Sequence, residues 1–99
     1  MSEWKDFREE LLRDPEVRKA YDARAPLRDL AHAIMEQRLA KKITQKELAE
    51  KMSIPQGNVS RLESGAQVPT ISMLHRAAKA LGVPFEIRLG NQVIPIHKE

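Results

Sequence analysis

Residues 44 to 65 read as two short helices joined by a tight turn, and a chain of 99 residues has to arrange the rest of its core around that unit. Thr44 and Glu47 have the spacing of a capping box, in which hydroxyl and carboxylate satisfy the amides left over at a helix start. The first helix is therefore expected to begin at Gln45. Leu48, Ala49 and Met52 fall on one face of it, and Ala49 is small enough for a second helix to cross closely. That second helix is expected from Pro55 to about Glu63, with Pro55 at its first position, where a missing amide has no partner to lose. Val59 and Leu62 make its buried stripe. Gln56, Asn58, Ser60 and Arg61 are left on or near the open side.

A helix that exposes so many donors and acceptors suits the edges of bases in a major groove, and the pair of helices reads as a helix-turn-helix. The pattern closely resembles the Cro/C1 (XRE) family of helix-turn-helix DNA-binding domains over roughly residues 26 to 83. Thr44-Gln45, Glu47-Leu48-Ala49, Val59-Ser60-Arg61, Glu63 and Gly65 carry the likeness, and Ala80-Leu81-Gly82-Val83 closes the domain as in that family. The resemblance implies a lambda-repressor-like helical bundle. It implies that Gln45 holds a phosphate, that Gln56, Gly57 and Arg61 face bases, and that Ser64 lies near the DNA backbone. With Thr44, Lys46, Asn58 and Ser60 these complete the candidate DNA-binding set. Two positions depart from the pattern. Pro55 replaces the usual Ser or Thr cap. Gly57 occupies a position that often carries a base-contacting side chain, at about 1 kcal/mol of helix propensity relative to alanine. Its bare backbone either lets the helix approach a phosphate or a thymine methyl closely, or leaves one base pair unread.

The charge distribution agrees. Net charge is +3, but residues 1 to 24 carry −1, residues 25 to 82 carry +4 and residues 83 to 99 carry none. The positive excess coincides with the helix-turn-helix, as attraction to phosphates requires, with Lys41, Lys42, Lys46 and Arg61 the main contributors. Without the motif the same charges would read as a solvated surface. There is no cysteine for disulfides or thiolate metal sites. The first residues lack the apolar run of a signal peptide, and a cytosolic, membrane-free protein is expected.

Three regions separate along the chain: residues 1–25, 26–83 and 84–99. In the first, Trp4, Phe7 and Leu11 form an apolar stripe on a charged helix. Asp14 then caps a second helix that has Pro15 at its first position and Val17 and Tyr21 on one face, and Ala25-Pro26 ends this helical arm. In the second region, Leu27, Leu30, Ala31 and Ile34 form the inward stripe of a helix from Pro26 to about Lys41, and Ile43 plugs the core. Thr70 caps a further helix, on which Ile71, Leu74, Ala77, Ala78 and Leu81 are expected to pack inward before Gly82 ends it in left-handed geometry. In the third region, Phe85, Ile87 and Leu89 alternate with Glu86 and Arg88 as in a strand. Gly90-Asn91 signals a hairpin turn, and Pro95 makes the return strand from Gln92 to Ile96 an edge. The fold class expected is mainly α, with an N-terminal helical arm and a short C-terminal β-hairpin or dimerisation strand.

A lone hairpin is marginal in water. Pairing Phe85, Ile87 and Leu89 with a second copy would support it and build a homodimer, whose two reading helices, about 34 Å apart, match successive turns of a palindromic operator. The alternative is a hairpin folded back on its own helical core. The leading segment from Phe7 through Leu12 to Tyr21, ahead of the helix-turn-helix and of Phe85 to Leu89, resembles the HigA type of antitoxin within the same family. That resemblance implies capture of a small basic toxin, a messenger-RNA endonuclease, and repression of the protein's own operon. Trp4, Phe7, Leu11, Val17 and Tyr21 are the candidate toxin-binding residues; docking of the arm onto its own core is the competing use for them. A free-standing phage-type repressor is the alternative function.

Catalysis is not expected. His32, His75 and His97 lie far apart without metal-ligand spacing, and no Gly-rich phosphate loop, nucleophile elbow or paired acid motif is present. Ser60 and Ser64 have Glu63 nearby but no histidine at helical reach. No cofactor or metal is implied.

Overall fold

A computed structural model describes residues 2–96, with side chains described from residue 6 onward. Six helices precede a hairpin: α1 (Ser2–Leu11), α2 (Pro15–Ala23), α3 (Ala25–Ala40), α4 (Gln45–Met52), α5 (Gln56–Ser64), α6 (Ile71–Leu81), β1 (Glu86–Leu89) and β2 (Gln92–Pro95). The mainly helical architecture with a helical arm and a C-terminal hairpin is the one the sequence predicts.

Local chemistry sets most of the boundaries. Asp14 caps α2, its Oδ1 accepting from the amides of Glu16 and Val17 at 2.9 and 3.5 Å, and Pro15 takes the first helical position. Thr70 Oγ1 accepts from the Met73 amide at 3.0 Å, and Gly82 ends α6 at φ 70°, a left-handed conformation that glycine adopts without a Cβ clash. Only Arg24 separates α2 from α3, serving as the cap of both. Pro26 therefore falls inside the first turn of α3, which begins at Ala25, one residue before the expected start.

The core lies between α4, α5 and α6. Leu48, Met52 and Val59 are fully buried there, joined by Ala49, Leu62, Ala77 and Leu81, while Ile43, Ile54, Met73, Ala80 and Val83 close its margins. Ala31 and Ile34 of α3 are also buried. Two expectations need correction. Ile71 is 55 % exposed, because the first residue of α6 has nothing beside it to pack on; Met73, which the inward stripe omitted, reaches the core instead. Pro55 is the N-cap of α5, with extended geometry (φ −64°, ψ 148°), and the helix begins one residue later at Gln56. A proline ring fixes φ but not ψ, so it fits either position.

The turn between α4 and α5 passes through Ser53 at φ 58°, ψ 45°. A side chain held in that left-handed region costs about 1–2 kcal/mol. Ser53→Gly removes this term and adds backbone freedom to the unfolded chain, leaving a net stabilisation of about 0.5–1 kcal/mol. Thermal unfolding should move up by a few degrees; a lower midpoint would mean that the Ser53 side chain stabilises the turn.

In the hairpin, Glu86 faces Pro95, Ile87 faces Ile94, Arg88 faces Val93 and Leu89 faces Gln92. The Ile96 amide donates to the Phe85 carbonyl at 2.8 Å, so residues 85, 87, 89, 92, 94 and 96 are the inward-bonded positions and Pro95 turns its nitrogen outward. Proline costs the hairpin no hydrogen bond there.

Candidate nucleic-acid interface

The reading helix is built from opposed faces. Val59, Leu62 and Glu63 point into the protein, whereas Gln56 and the residues one, four, five and eight positions after it, Gly57, Ser60, Arg61 and Ser64, share the exposed side. Asn58 is half-buried beside them. The start of α4 lies next to this helix in the fold. Thr44 Oγ1 accepts from the Glu47 amide at 3.0 Å and the Thr44 amide donates to Glu47 Oε1 at 2.7 Å, the expected capping box. Thr44 and Lys46 are exposed, and Gln45 is half-buried.

Beneath the surface lies an ion pair that the motif comparison does not single out. Glu63, with a side chain only 3 % exposed, accepts from Arg38 Nε at 2.7 Å and from Arg38 Nη2 at 3.0 Å. Arg38 Nη1 donates to the Ile43 carbonyl at 2.9 Å, and Gln45 Nε2 donates to Glu63 Oε1 at 3.1 Å. One carboxylate thus ties α3, α4 and α5 together, with Gln45 held in place on the path to the surface. The Arg38 guanidinium is pushed above its ordinary pKa, chiefly by its hydrogen bond to Glu63, against the opposing effect of burial. A raised folded-state pKa in a cation means stability that is present at low pH and lost only when the pH climbs past that value, so Arg38 stays charged throughout the neutral range. The signal for this pair was present in the sequence. Glu63 follows Val59 by four on an apolar stripe, and Arg38 follows Ile34 by four on another.

Arg61 is also engaged. Its Nε donates to Gln67 Oε1 at 3.1 Å and its Nη2 donates to Asn58 Oδ1, while its carbonyl accepts from Ser64 Oγ at 3.2 Å. Gly57 lies close by, and a Cβ built on it would meet Arg61 Nη1 at 3.5 Å, an ordinary contact. Gln67 was not among the sequence candidates, because a loop residue outside the helical pattern carries no periodic signal.

The remaining candidates divide. Phe7, Leu11 and Val17 of the arm are 52, 41 and 38 % exposed. Tyr21 is half-buried: Arg28 sits 3.5 Å above its ring and donates to its carbonyl at 2.8 Å, while Arg8 donates to its hydroxyl at 3.1 Å. Tyr21 thereby joins α1, α2 and α3. The side chain of Trp4 and the whole of His97 lie outside the described residues. His32 is exposed on α3, and His75 is half-buried on α6. Phe85 and Ile87 are half-buried, Phe85 lining an apolar hollow with Leu30, Ile34, Leu74 and Leu81, whereas Leu89 is 73 % exposed. Among the described residues, no helix is long and apolar enough to cross a membrane.

Comparison with known proteins follows the same lines. The helix-turn-helix family profile matches residues 34–87, which includes α4, α5, α6 and the start of β1. The clp gene regulator ClgR from C. glutamicum is similar at 32 % identity and a TM-score of 0.55, over 57 % of this chain and 72 % of that one. The restriction-modification controller protein C.AhdI from Aeromonas hydrophila is similar at 26 % identity and a TM-score of 0.59, over 63 % of this chain and 90 % of its own. No curated protein gives a significant sequence match. More than half of the residues fall within the family profile, and the chain belongs to the helix-turn-helix family as a sequence-specific DNA-binding transcriptional regulator of the XRE type.

Proposed function

We propose that the protein is a repressor that binds a palindromic operator as a homodimer, with α5 in the major groove and the start of α4 against the phosphate backbone. The observation that carries this reading is the exposed face of α5, where Gln56, Gly57, Ser60, Arg61 and Ser64 stand opposite the buried Val59 and Leu62. The two faces leave the helix rigidly seated and its polar chemistry available. Gln45 and Lys46 set position, since phosphate contacts carry no sequence information directly, and Arg61 reads a base. The role is binding, with no catalytic step. Arg61→Ala is expected to weaken the preferred site by about 1–3 kcal/mol and to relax selection at one base pair. A binding-site selection that returns the same preference with and without Arg61 would exclude it as a reader.

The arm supports a second activity, the toxin neutralisation of a HigA-type antitoxin coupled to autorepression. Phe7, Leu11 and Val17 keep much of their apolar surface in water on a segment of net negative charge, which suits a small basic partner such as a messenger-RNA endonuclease. Tyr21, engaged by Arg8 and Arg28, anchors the arm to α3 in this scheme. The competing reading is a free-standing phage-type repressor, and it is favoured by the likeness to two proteins whose names describe regulators. Removing residues 1–24 decides between them. The antitoxin reading expects loss of binding to a basic protein encoded beside this gene, with operator binding retained; a full-length chain that binds no such neighbour leaves the free-standing repressor.

A further inference from the structure

We propose that Asn58 and Gln67 are positioning residues that hold Arg61 over Gly57, so that its terminal Nη1/Nη2 edge is the one presented to guanine. The inference rests on the operator-reading role of α5 and names how that role is performed. A guanidinium has five N–H groups in a rigid plane. Two of them are committed within the protein: Nε–H to Gln67 Oε1 at 3.1 Å, and one Nη2–H to Asn58 Oδ1. Three remain, two on Nη1 and one on Nη2. A side-on approach, which needs Nε–H, is closed, whereas an end-on fork of one hydrogen from each terminal nitrogen is left when Asn58 takes the Nη2 hydrogen on the Nε side. That fork matches the two acceptors, O6 and N7, that guanine shows in the major groove.

Gly57 makes room for the fork. Nη1 lies 3.5 Å from where a Cβ on Gly57 would stand, so the terminal edge passes over bare backbone. An alanine there makes an ordinary contact, but a longer polar side chain would compete with the base for Nη1. The glycine that looked like an unread position, or a point of close backbone approach, becomes part of how its neighbour reads. The two acceptors also come from different places, Asn58 from the first turn of α5 and Gln67 from the loop that follows the helix. Held at two nitrogens of its guanidinium, the long side chain has fewer rotamers to lose on binding, so Asn58 and Gln67 raise specificity without touching the duplex.

The test uses the full chain and a selected duplex, titrated by fluorescence anisotropy together with every single-base variant of that duplex and one unrelated duplex. Gln67→Ala is expected to reduce discrimination about ten-fold at a single base pair, the same pair at which Arg61→Lys loses preference. Affinity for the unrelated duplex and the salt slope should not change. Gln67→Glu keeps an acceptor for Nε–H, so the ratio between matched and mismatched duplexes should return, although its charge lowers affinity for all of them. Gly57→Gln should reduce discrimination at that same pair. Should Gln67→Ala discriminate as well as the wild type, or bind every duplex more tightly, the positioning role is wrong while the reading helix stands. Should the wild-type chain select no duplex at all, the operator-reading role falls, and this inference with it.

Discussion

Glu63→Ala is expected to destabilise the fold by about 3–5 kcal/mol, because it leaves the Arg38 guanidinium buried without its carboxylate. Three hydrogen bonds are lost at once, two from Arg38 and one from Gln45. A small domain has a total stability of about 5–15 kcal/mol, so urea denaturation should show a large fall in midpoint, with part of the population unfolded at 37 °C if the starting value is low. Replacing both partners, as Arg38→Met with Glu63→Leu, should recover most of the loss, since desolvating two charges offsets much of what their attraction contributes. The double variant separates stability from function. If it folds well yet binds DNA more weakly, the missing element is the hold on Gln45; if it binds normally, the ion pair serves the fold alone.

Leu48→Ala should cost about 2–5 kcal/mol, the range for truncating a fully buried leucine whose neighbours relax only partly. Leu48 sits on α4 in the core shared with Val59 and Leu62 of α5 and Ala77 and Leu81 of α6, so the cavity opens at the joint of the helix-turn-helix. Chemical denaturation measures the cost directly. DNA affinity at low temperature, where the variant remains folded, should fall far less than stability does, because Leu48 is fully buried and presents nothing to a groove. A loss of affinity as large as the loss of stability would show that the angle between the two helices depends on this one side chain.

The capped helix starts at Thr44 and Thr70, the left-handed stop at Gly82 and the buried stripes of α4 and α5 were legible because each follows from interactions within about four residues. The interior was harder. Periodicity identifies a face but not how far along it a neighbour extends, which is why Ile71 is exposed while Met73, half-buried, packs against the core. Arg38 and Glu63, twenty-five residues apart, each appear as a charge out of place on an apolar stripe, and only the crossing of α3 with α5 makes them partners. In the candidate interface, the exposed chemistry of Gln56, Ser60 and Arg61 could be read from the helix alone. The role of Gln67 could not, since it depends on where a loop returns. Tyr21 shows a different limit: an aromatic residue on an arm looks the same in sequence whether it awaits a partner or, as here, is covered by Arg8 and Arg28 of its own chain.

The outward-turned nitrogen of Pro95 bears on how far this protein can polymerise. The free side of β2 offers one amide, at Val93, and carries a proline ring where the next would bond, whereas β1 keeps both of its outward amides, at Glu86 and Arg88. β1 is therefore the edge better suited to a second molecule, and an antiparallel joining there places a strand interrupted by proline on each flank of the resulting four-stranded ribbon. The proline disfavours further growth, which limits the hazard of leaving Leu89, Val93 and Ile94 open to water on the hairpin.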